Sequence, residues 1–244
     1  MKIRQLFYTL KQYINHKNAL IVTGMRQVGK TTLLRQVYDE IPVSKIWFDF
    51  DNPLDTMYFE DSDYSNIYEK LKKKAGIKDE RLFVFIDEVQ NFPDITRIVK
   101  YHIDHYKVKY FLTGSSNFYL KNLFPESLSG RKFLFQLAPL SFDEYLYFQD
   151  KLNLRQGSVS LDDLLAEEND FTNYIEFETE YQEYLDFGGF PEVCLTPDIQ
   201  TKELILKNVF TSFFEKDLGL LGDIQDIREL RDLILLLVPR VGNM

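Results

Sequence analysis

The sequence has almost no cysteine and no long apolar segment. It has a single cysteine, Cys194, so neither an internal disulfide nor a cysteine-based metal site can form. The longest apolar run, residues 233–238, is far too short to span a bilayer, and the polar amino terminus lacks the apolar core of a signal peptide. We therefore expect a cytoplasmic protein with no membrane association.

Positive charge is also scarce. The 38 acidic and 29 basic residues give a net charge of -9 over 244 residues. Such a charge repels nucleic acid and anionic lipid unless basic residues cluster locally, so a nucleic-acid partner is not supported. Apolar residues, in contrast, make up 45% of the chain, which is enough to build the core of one large domain or two small ones.

Apolar runs alternate with helical patterns over the first 140 residues, as is typical of a parallel sheet covered on both faces. After Pro139 the strand pattern stops and amphipathic helices follow. Two glycines and two prolines between residues 187 and 198 are expected to interrupt any helix. We predict an α/β core over residues 1–140 with an N-terminal helix, followed by a helical region over 141–244. The predicted strands are 19–24, 45–50, 82–87, 109–116 and 132–137; the predicted helices are 30–39, 67–75, 95–106, 118–123, 140–149, 161–187, 201–218 and 224–238.

A glycine-bounded loop joins the first predicted strand to the following helix. Residues 24–31, GMRQVGKT, fit the pattern G-x-x-x-x-G-K-[ST]. Glycines allow a tight turn whose amide N–H groups point at an anion, and the helix N-terminus adds positive potential. Lys30 is expected to reach the terminal phosphates, and the Thr31 hydroxyl to ligate Mg²⁺. An ordinary turn with an incidental Lys-Thr pair is the alternative, which the strand-loop-helix order disfavours. The residues predicted to bind nucleotide are Gly24, Arg26, Gln27, Val28, Gly29, Lys30, Thr31 and Thr32.

An acidic pair follows the third predicted strand. The strand is apolar on both faces and is followed by Asp87 and Glu88. The carboxyl end of a buried strand is where a ligand crevice forms in a parallel sheet. We expect Asp87 to hold Mg²⁺, directly or through water, and Glu88 to polarise an attacking water. Acids that merely solvate a loop are the alternative.

Two further groups are candidates for catalysis. Ser115 or Ser116, at the end of the fourth strand, would contact the terminal phosphate, although these serines could equally well turn the chain and cap the next helix. Arg131, in the loop before the fifth strand, is the first candidate to neutralise charge in a phosphoryl-transfer transition state, in cis or in trans. Its loop is predicted to lie at the active edge of the sheet. Arg26 is the second candidate.

Several segments, taken in order, make the chain resemble the bacterial and archaeal AAA-type ATPases that carry a C-terminal domain of unknown function. The segments are GMRQVGKTTLLRQ, FVFIDEVQ, FLTGSS, SLSGRKFLFQLAPLSFDEYL and YLDFGGFPEV. The resemblance implies a three-layer P-loop NTPase fold with a mainly parallel five-stranded sheet, in which the sensor strand lies between the phosphate-loop strand and the acid strand. It also implies Mg²⁺-dependent ATP hydrolysis. By matched motif, Lys30 and Thr31 bind phosphate and metal, Asp87 and Glu88 are the metal-associated acid and the base, and Ser115 or Ser116 is the sensor.

The chain departs from the family pattern at two points. Relatives run on well past the end of this chain, so its C-terminal domain is expected to be incomplete. Lys216 stands where we expect relatives to have an arginine before the aspartate of FFEKDL. The alternative to an ATPase is a nucleotide-regulated interaction protein, in which ATP binding orders the helical half for an unknown protein partner and turnover is negligible. Self-association is possible under either function.

Overall fold

A computed structural model describes residues 1–78, 80–114, 128, 130–153, 175–213 and 227–237. Its centre is a sheet of five strands in the order β2-β3-β4-β1-β5, and all four neighbouring pairs are parallel. The predicted sheet is confirmed, including the insertion of β4 between the phosphate-loop strand β1 and the acid strand β3. The strands are β1 Ala19–Thr23, β2 Lys45–Asp49, β3 Phe83–Asp87, β4 Lys109–Gly114 and β5 Lys132–Gln136.

Helices cover both faces of the sheet. Within the α/β half they are α1 Gln5–Gln12, α2 Lys30–Glu40, α3 Pro53–Thr56, α4 Tyr64–Ala75 and α5 Ile95–Tyr106. Short 3₁₀ turns lie at Met57–Phe59 and Val89–Asn91. The helix predicted to begin at residue 67 begins earlier, because the Asp63 side chain accepts a hydrogen bond from the Ser65 amide and caps it.

Alternate residues of the central strands enter two separate apolar layers. Ile21 and Leu112 pack with Ile67 and Ile98 of α4 and α5 on one face. On the other face, a second cluster contains Leu20, Val22, Phe85 and Phe111 from the strands and Leu10 and Leu34 from α1 and α2. This period of two explains why β1, β3 and β4 are buried throughout and mainly apolar: both faces of each strand are covered.

The helical half is described in part. Its helices are α6 Phe142–Phe148, α7 Glu178–Phe187, α8 Pro191–Leu195, α9 Ile199–Ser212 and α10 Ile227–Leu237. The expectation that residues 187–198 interrupt any helix is wrong for α8. Pro191 occupies its first turn, where the missing proline N–H has no intrahelical partner to lose, so the proline starts a helix there. The predicted helix at 118–123 lies outside the described residues.

Candidate functional site

The glycine-bounded loop connects the carboxyl end of β1 to the first turn of α2. Gly24 has φ 152°, and a Cβ there would lie 2.2 Å from the backbone oxygen of Leu137, so close packing against the segment after β5 requires glycine. Gln27 and Gly29 have φ values of 63° and 94°. Left-handed residues of this kind curl successive amide N–H groups toward one point, as in anion-binding turns. A Cβ at Gly29 would meet no atom within 4 Å, so glycine is required there by the positive φ and not by close packing.

Lys30 projects back into this loop from the first turn of α2. Its side chain is buried, and its Nζ donates hydrogen bonds to the carbonyl oxygens of Gly24, at 2.9 Å, and Met25, at 2.8 Å. The ammonium group therefore lies across the loop, where the phosphates of a nucleotide would bind. Thr31 and Thr32 follow it with exposed side chains.

Asp87 and Glu88 lie at the carboxyl end of β3 and are joined to β4 by a threonine. The Thr113 hydroxyl donates to Oδ1 of Asp87 and accepts a hydrogen bond of 3.2 Å from the Glu88 amide. Thr113 is fully buried. Sequence reasoning missed this residue, because a single hydroxyl within an apolar strand does not reveal which neighbour it meets. Its position one residue after the Ile86↔Leu112 strand pair is what brings it to the acids.

Glu88 is set apart from ordinary surface glutamates by its backbone and its environment. It adopts a left-handed conformation with φ 54° and ψ 50° directly after the strand. Burial raises the pKa of its carboxyl group, whereas the hydrogen bond from the Gln90 amide and the nearby charge of Lys30 lower it. Glu88 thus holds its proton to a higher pH than a solvated glutamate does.

The loop and Glu88 border one cavity of about 470 Å³ at the carboxyl edge of the sheet. The helical half contributes to the lining too, through Pro191 and Glu192 of α8 and Ser212 of α9. Sequence reasoning did not select these three residues, although GGFPEV was among the segments that carried the family resemblance. The lining comprises Arg26, Gln27, Gly29, Lys30, Thr31, Thr32, Glu88, Pro191, Glu192 and Ser212.

Gly189 packs closely against the segment that follows β5. A Cβ on Gly189 would lie 2.3 Å from the backbone oxygen of Leu140, and the Leu140 amide donates a 2.6 Å hydrogen bond to the Gly189 oxygen. Tyr184 strengthens this contact by donating from its hydroxyl to the Leu140 oxygen at 2.8 Å. The chain therefore returns from the helical half onto the segment that follows β5, and Pro191 comes next.

The predicted metal ligands fit Mg²⁺ only in combination with a nucleotide. Thr31 lines the cavity and Asp87 is buried at the end of β3, next to Glu88, but Asp87 is not among the described lining residues. In the described part of the chain, no group of three or more His, Cys, Asp or Glu side chains could hold a metal ion. Mg²⁺ commonly takes one or two protein ligands and completes its coordination shell with water and phosphate oxygens. Thr31 and Asp87 are two oxygen-bearing residues of the kind that such a shell uses.

Arg131 does not lie at the predicted edge of the sheet. Its carbonyl oxygen accepts from the Ala19 amide at 2.8 Å, which places it beside the beginning of β1, whereas the phosphate loop follows the end of that strand. Five residues of strand separate the two edges by about 16 Å. Arg131 instead pairs with Asp104 at 2.6 Å and borders a different cavity. The error has a simple cause: in a parallel sheet, a loop that precedes a strand lies at the amino edge.

The other predicted residues have mixed outcomes. Gly24 and Val28 belong to the loop, but they are not among the described residues that line the cavity. Ser115 and Ser116 lie outside the described residues.

The sequence of residues 16–146 matches the family model described as an AAA domain. The chain belongs to this AAA domain family. Residues 178–244 match a second family, described as a domain of unknown function. Together the two matches confirm the resemblance that the motifs indicated.

Similar proteins have been found in archaea and bacteria. An uncharacterized protein of Methanocaldococcus jannaschii is 28% identical over 229 residues, which is 91% of this chain and 47% of that protein. One from Haemophilus influenzae is 27% identical over 241 residues, covering 96% of this chain and 55% of that protein. The AAA domain chain thus spans about half the length of these curated relatives.

A solved structure with the same fold is that of a Walker-type ATPase from Pyrococcus abyssi. It is 17% identical in sequence, with a TM-score of 0.50, and the match covers 96% of this chain and 75% of that one. This likeness supports the P-loop NTPase architecture described above. Within the described residues, no helix combines the length and the apolar character needed to cross a membrane.

Proposed function

We propose that this AAA domain protein binds ATP together with Mg²⁺, hydrolyses it to ADP and phosphate, and couples the nucleotide state to a protein partner through its helical half. One observation carries the proposal: the phosphate loop with Lys30 and the carboxylate of Glu88 border the same cavity. A loop of amide donors and a cation suit a polyphosphate, and a carboxylate of raised pKa across from them suits the activation of water.

Each residue has a separate task in this mechanism. Lys30 would leave its two loop carbonyls and donate to the terminal phosphates. Glu88 would accept a proton from the attacking water, with Thr113 holding its backbone in place. Thr31 and Asp87 would hold Mg²⁺, which when bound neutralises charge on the phosphate oxygens. Ser115 or Ser116 would contact the terminal phosphate.

Charge neutralisation by an arginine has two candidate sources. Arg26 borders the cavity in the same chain. Arg131 lies at the other edge of the sheet, so it would have to act on the site of a second copy of the chain. Such an arginine contributes about 10³ to 10⁵ in rate where it acts. Mixing Arg131→Ala protein with Lys30→Ala protein tests this: recovered turnover in the mixture supports action between copies, and no recovery argues against it.

The binding step is tested by titrating purified protein with a fluorescent ATP analogue in the presence of Mg²⁺. Lys30→Ala should abolish the binding, because the ammonium group is lost from the loop. Lys11→Ala is the matched control, since that lysine is exposed and pairs with Glu40 away from the cavity. Equal affinities in wild type, Lys30→Ala and Lys11→Ala would overturn the assignment.

Hydrolysis requires a separate measurement. Glu88→Gln keeps the size of the side chain and removes the base, so it should bind Mg²⁺-ATP and release no phosphate. A wild type that turns over no faster than Glu88→Gln would instead favour the nucleotide-regulated interaction protein. Glu192 and Ser212 line the same cavity, so the helical half would be close to the nucleotide. This position suits both the ATPase and the nucleotide-regulated interaction protein.

A further inference from the structure

Arg4 is a buried arginine for which the proposed mechanism has no use. It precedes α1 and is only 6% exposed. Its Nη1 donates to the backbone oxygen of Val28, in the phosphate loop, at 2.9 Å. Its Nη2 donates to the backbone oxygen of Ala138, in the segment after β5, also at 2.9 Å. One guanidinium group therefore joins the N-terminal segment to the loop and to the end of the sheet.

The bond to Val28 determines the direction of a neighbouring amide. The Val28 carbonyl and the Gly29 N–H belong to the same planar trans peptide unit, in which the C=O and N–H bonds point in opposite directions. Because Arg4 holds the Val28 carbonyl, the Gly29 N–H points away from Arg4, and Arg4 does not line the cavity. Gly29 lines the cavity, so this amide is one of the donors that a phosphate would meet.

Arg4 is in turn held by Glu144 of α6. Nε and Nη2 donate to the two carboxylate oxygens in a paired arrangement, each at 2.9 Å, and both side chains are 7% exposed. The same carboxylate accepts from the Gln5 amide at 2.8 Å and from the Ser141 amide at 3.3 Å. A paired arginine-carboxylate contact is both strong and directional, so the orientation of the guanidinium group is well defined.

These contacts give a physical role to a sequence segment that the mechanism did not use. The segment PLSFDEYL contributed to the family resemblance, and both Ser141 and Glu144 belong to it. Ser141 and Glu144 also form a capping box, which fixes the start of α6. The segment thus places one carboxylate at the point where the N-terminal arginine meets the phosphate loop.

We propose that Arg4 and Glu144 are positioning residues, which hold the phosphate loop in its anion-binding conformation from outside the cavity. Neither residue lines the cavity described above. This proposal rests on the proposed function, because it requires that the loop bind nucleotide phosphates. It differs from a purely structural role in one respect: loss of the pair should weaken phosphate binding in a protein that is still folded.

The test compares nucleotide affinity with stability in matched variants. Glu144→Gln retains the shape of the side chain but removes the charge that orients Arg4, and we expect the dissociation constants of both ADP and ATP to rise about tenfold or more. KM for ATP should rise by a similar factor with a smaller change in kcat, since the loop binds the ground state as well as the transition state. Arg4→Lys is the second variant, because a lysine keeps the charge without the paired geometry.

Asp150→Asn is the matched control. Asp150 pairs with Lys2, so this pair also joins the N-terminal segment to the region of α6, but within the described part of the chain neither residue lines the cavity. Its affinity for nucleotide should equal that of wild type. Folding of every variant is checked first by circular dichroism and by urea unfolding without nucleotide.

The outcomes separate the two proposals. If wild type and Lys30→Ala fail equally to bind ATP, the proposed function is wrong. If wild type binds and Glu144→Gln and Arg4→Lys bind as tightly, with only a lower unfolding midpoint, the pair is structural and the positioning role is overturned. Weaker binding in both variants but not in Asp150→Asn supports it.

Discussion

Thr113→Val should destabilise the protein much more than the same substitution on the neighbouring strand. Thr113 donates to Asp87 and accepts from the Glu88 amide, and it is fully buried. Valine has nearly the same shape, so no cavity forms, but the carboxylate loses a donor and the amide loses its acceptor. A hydrogen bond to a charged group contributes about 1.5–3 kcal/mol and a neutral one about 1 kcal/mol. We therefore expect a loss of roughly 2–4 kcal/mol in the free energy of unfolding.

Thr23 on β1 supplies the matched control. It is also fully buried, and its hydroxyl oxygen has no hydrogen-bond partner in the part of the chain that the structure describes. Replacing a hydroxyl without a partner by a methyl group removes a desolvation cost, so Thr23→Val should be neutral or stabilising by about 1 kcal/mol. The two variants should thus differ by about 2–5 kcal/mol.

Urea unfolding without nucleotide measures this difference. The single tryptophan, Trp47 on β2, stacks on Phe85 of β3 at 5.8 Å, so its fluorescence reports the integrity of the acid strand. Phosphate release is measured on the same samples, and Thr113→Val should be slower because the Glu88 backbone loses its anchor. If the unfolding free energies of Thr113→Val and Thr23→Val agree within about 0.5 kcal/mol, the threonine does not hold the acid pair.

Two further predictions concern the scaffold around the site. Burial lowers the pKa of His102 to about 4 in the folded protein, whereas its ordinary pKa is near 6.5. Between these two pH values the unfolded chain binds more protons than the folded one. The free energy of unfolding, measured by urea titration, should therefore rise with pH over this window by up to about 3 kcal/mol. His102→Gln should flatten that rise, and identical slopes would contradict it. Gly24→Ala should cost about 3 kcal/mol or more through its clash with Leu137, whereas Gly76→Ala, at φ 69° with open space around it, should cost about 1 kcal/mol. Equal losses at the two glycines would show that the loop moves aside.

The fold was predictable from the sequence because each strand and helix is marked by the hydrophobic pattern of several consecutive residues. Strands buried on both faces, such as β3 and β4, consist mainly of apolar residues, and their observed ends lie within two residues of the predicted ones. The phosphate loop was predictable for a different reason: only glycine satisfies the packing at Gly24, and the motif begins with that glycine. The strands are recognised from their composition and the loop from the spacing of its motif residues, so neither required knowledge of the distant contact that Gly24 makes with Leu137.

The remainder of the site depends on contacts between distant segments. Thr113 of β4 contacts Asp87 of the neighbouring strand β3, and Arg4 contacts Glu144, which is 140 residues away in sequence. Contacts of this kind produce no periodic pattern in the sequence. The short helix at Pro191 was missed because the prediction considered proline only as a residue that interrupts helices. Proline is also common in the first turn of a helix, which is its position here. Arg131 was placed at the wrong edge even though the direction of a parallel strand was sufficient to decide it.

The two hydrogen bonds that Lys30 donates within its own loop have a consequence for selectivity among anions, if the loop binds phosphates as proposed. Its ammonium group already donates to two carbonyl oxygens at 2.8 and 2.9 Å, so an incoming anion must replace bonds that exist and does not meet an unoccupied cation. A single small anion such as chloride would not replace both of these hydrogen bonds with interactions of equal strength. A chain of phosphates can engage the lysine and several loop amides at once. We therefore expect the loop to favour polyphosphates over abundant salts, because its own carbonyl oxygens compete for Lys30.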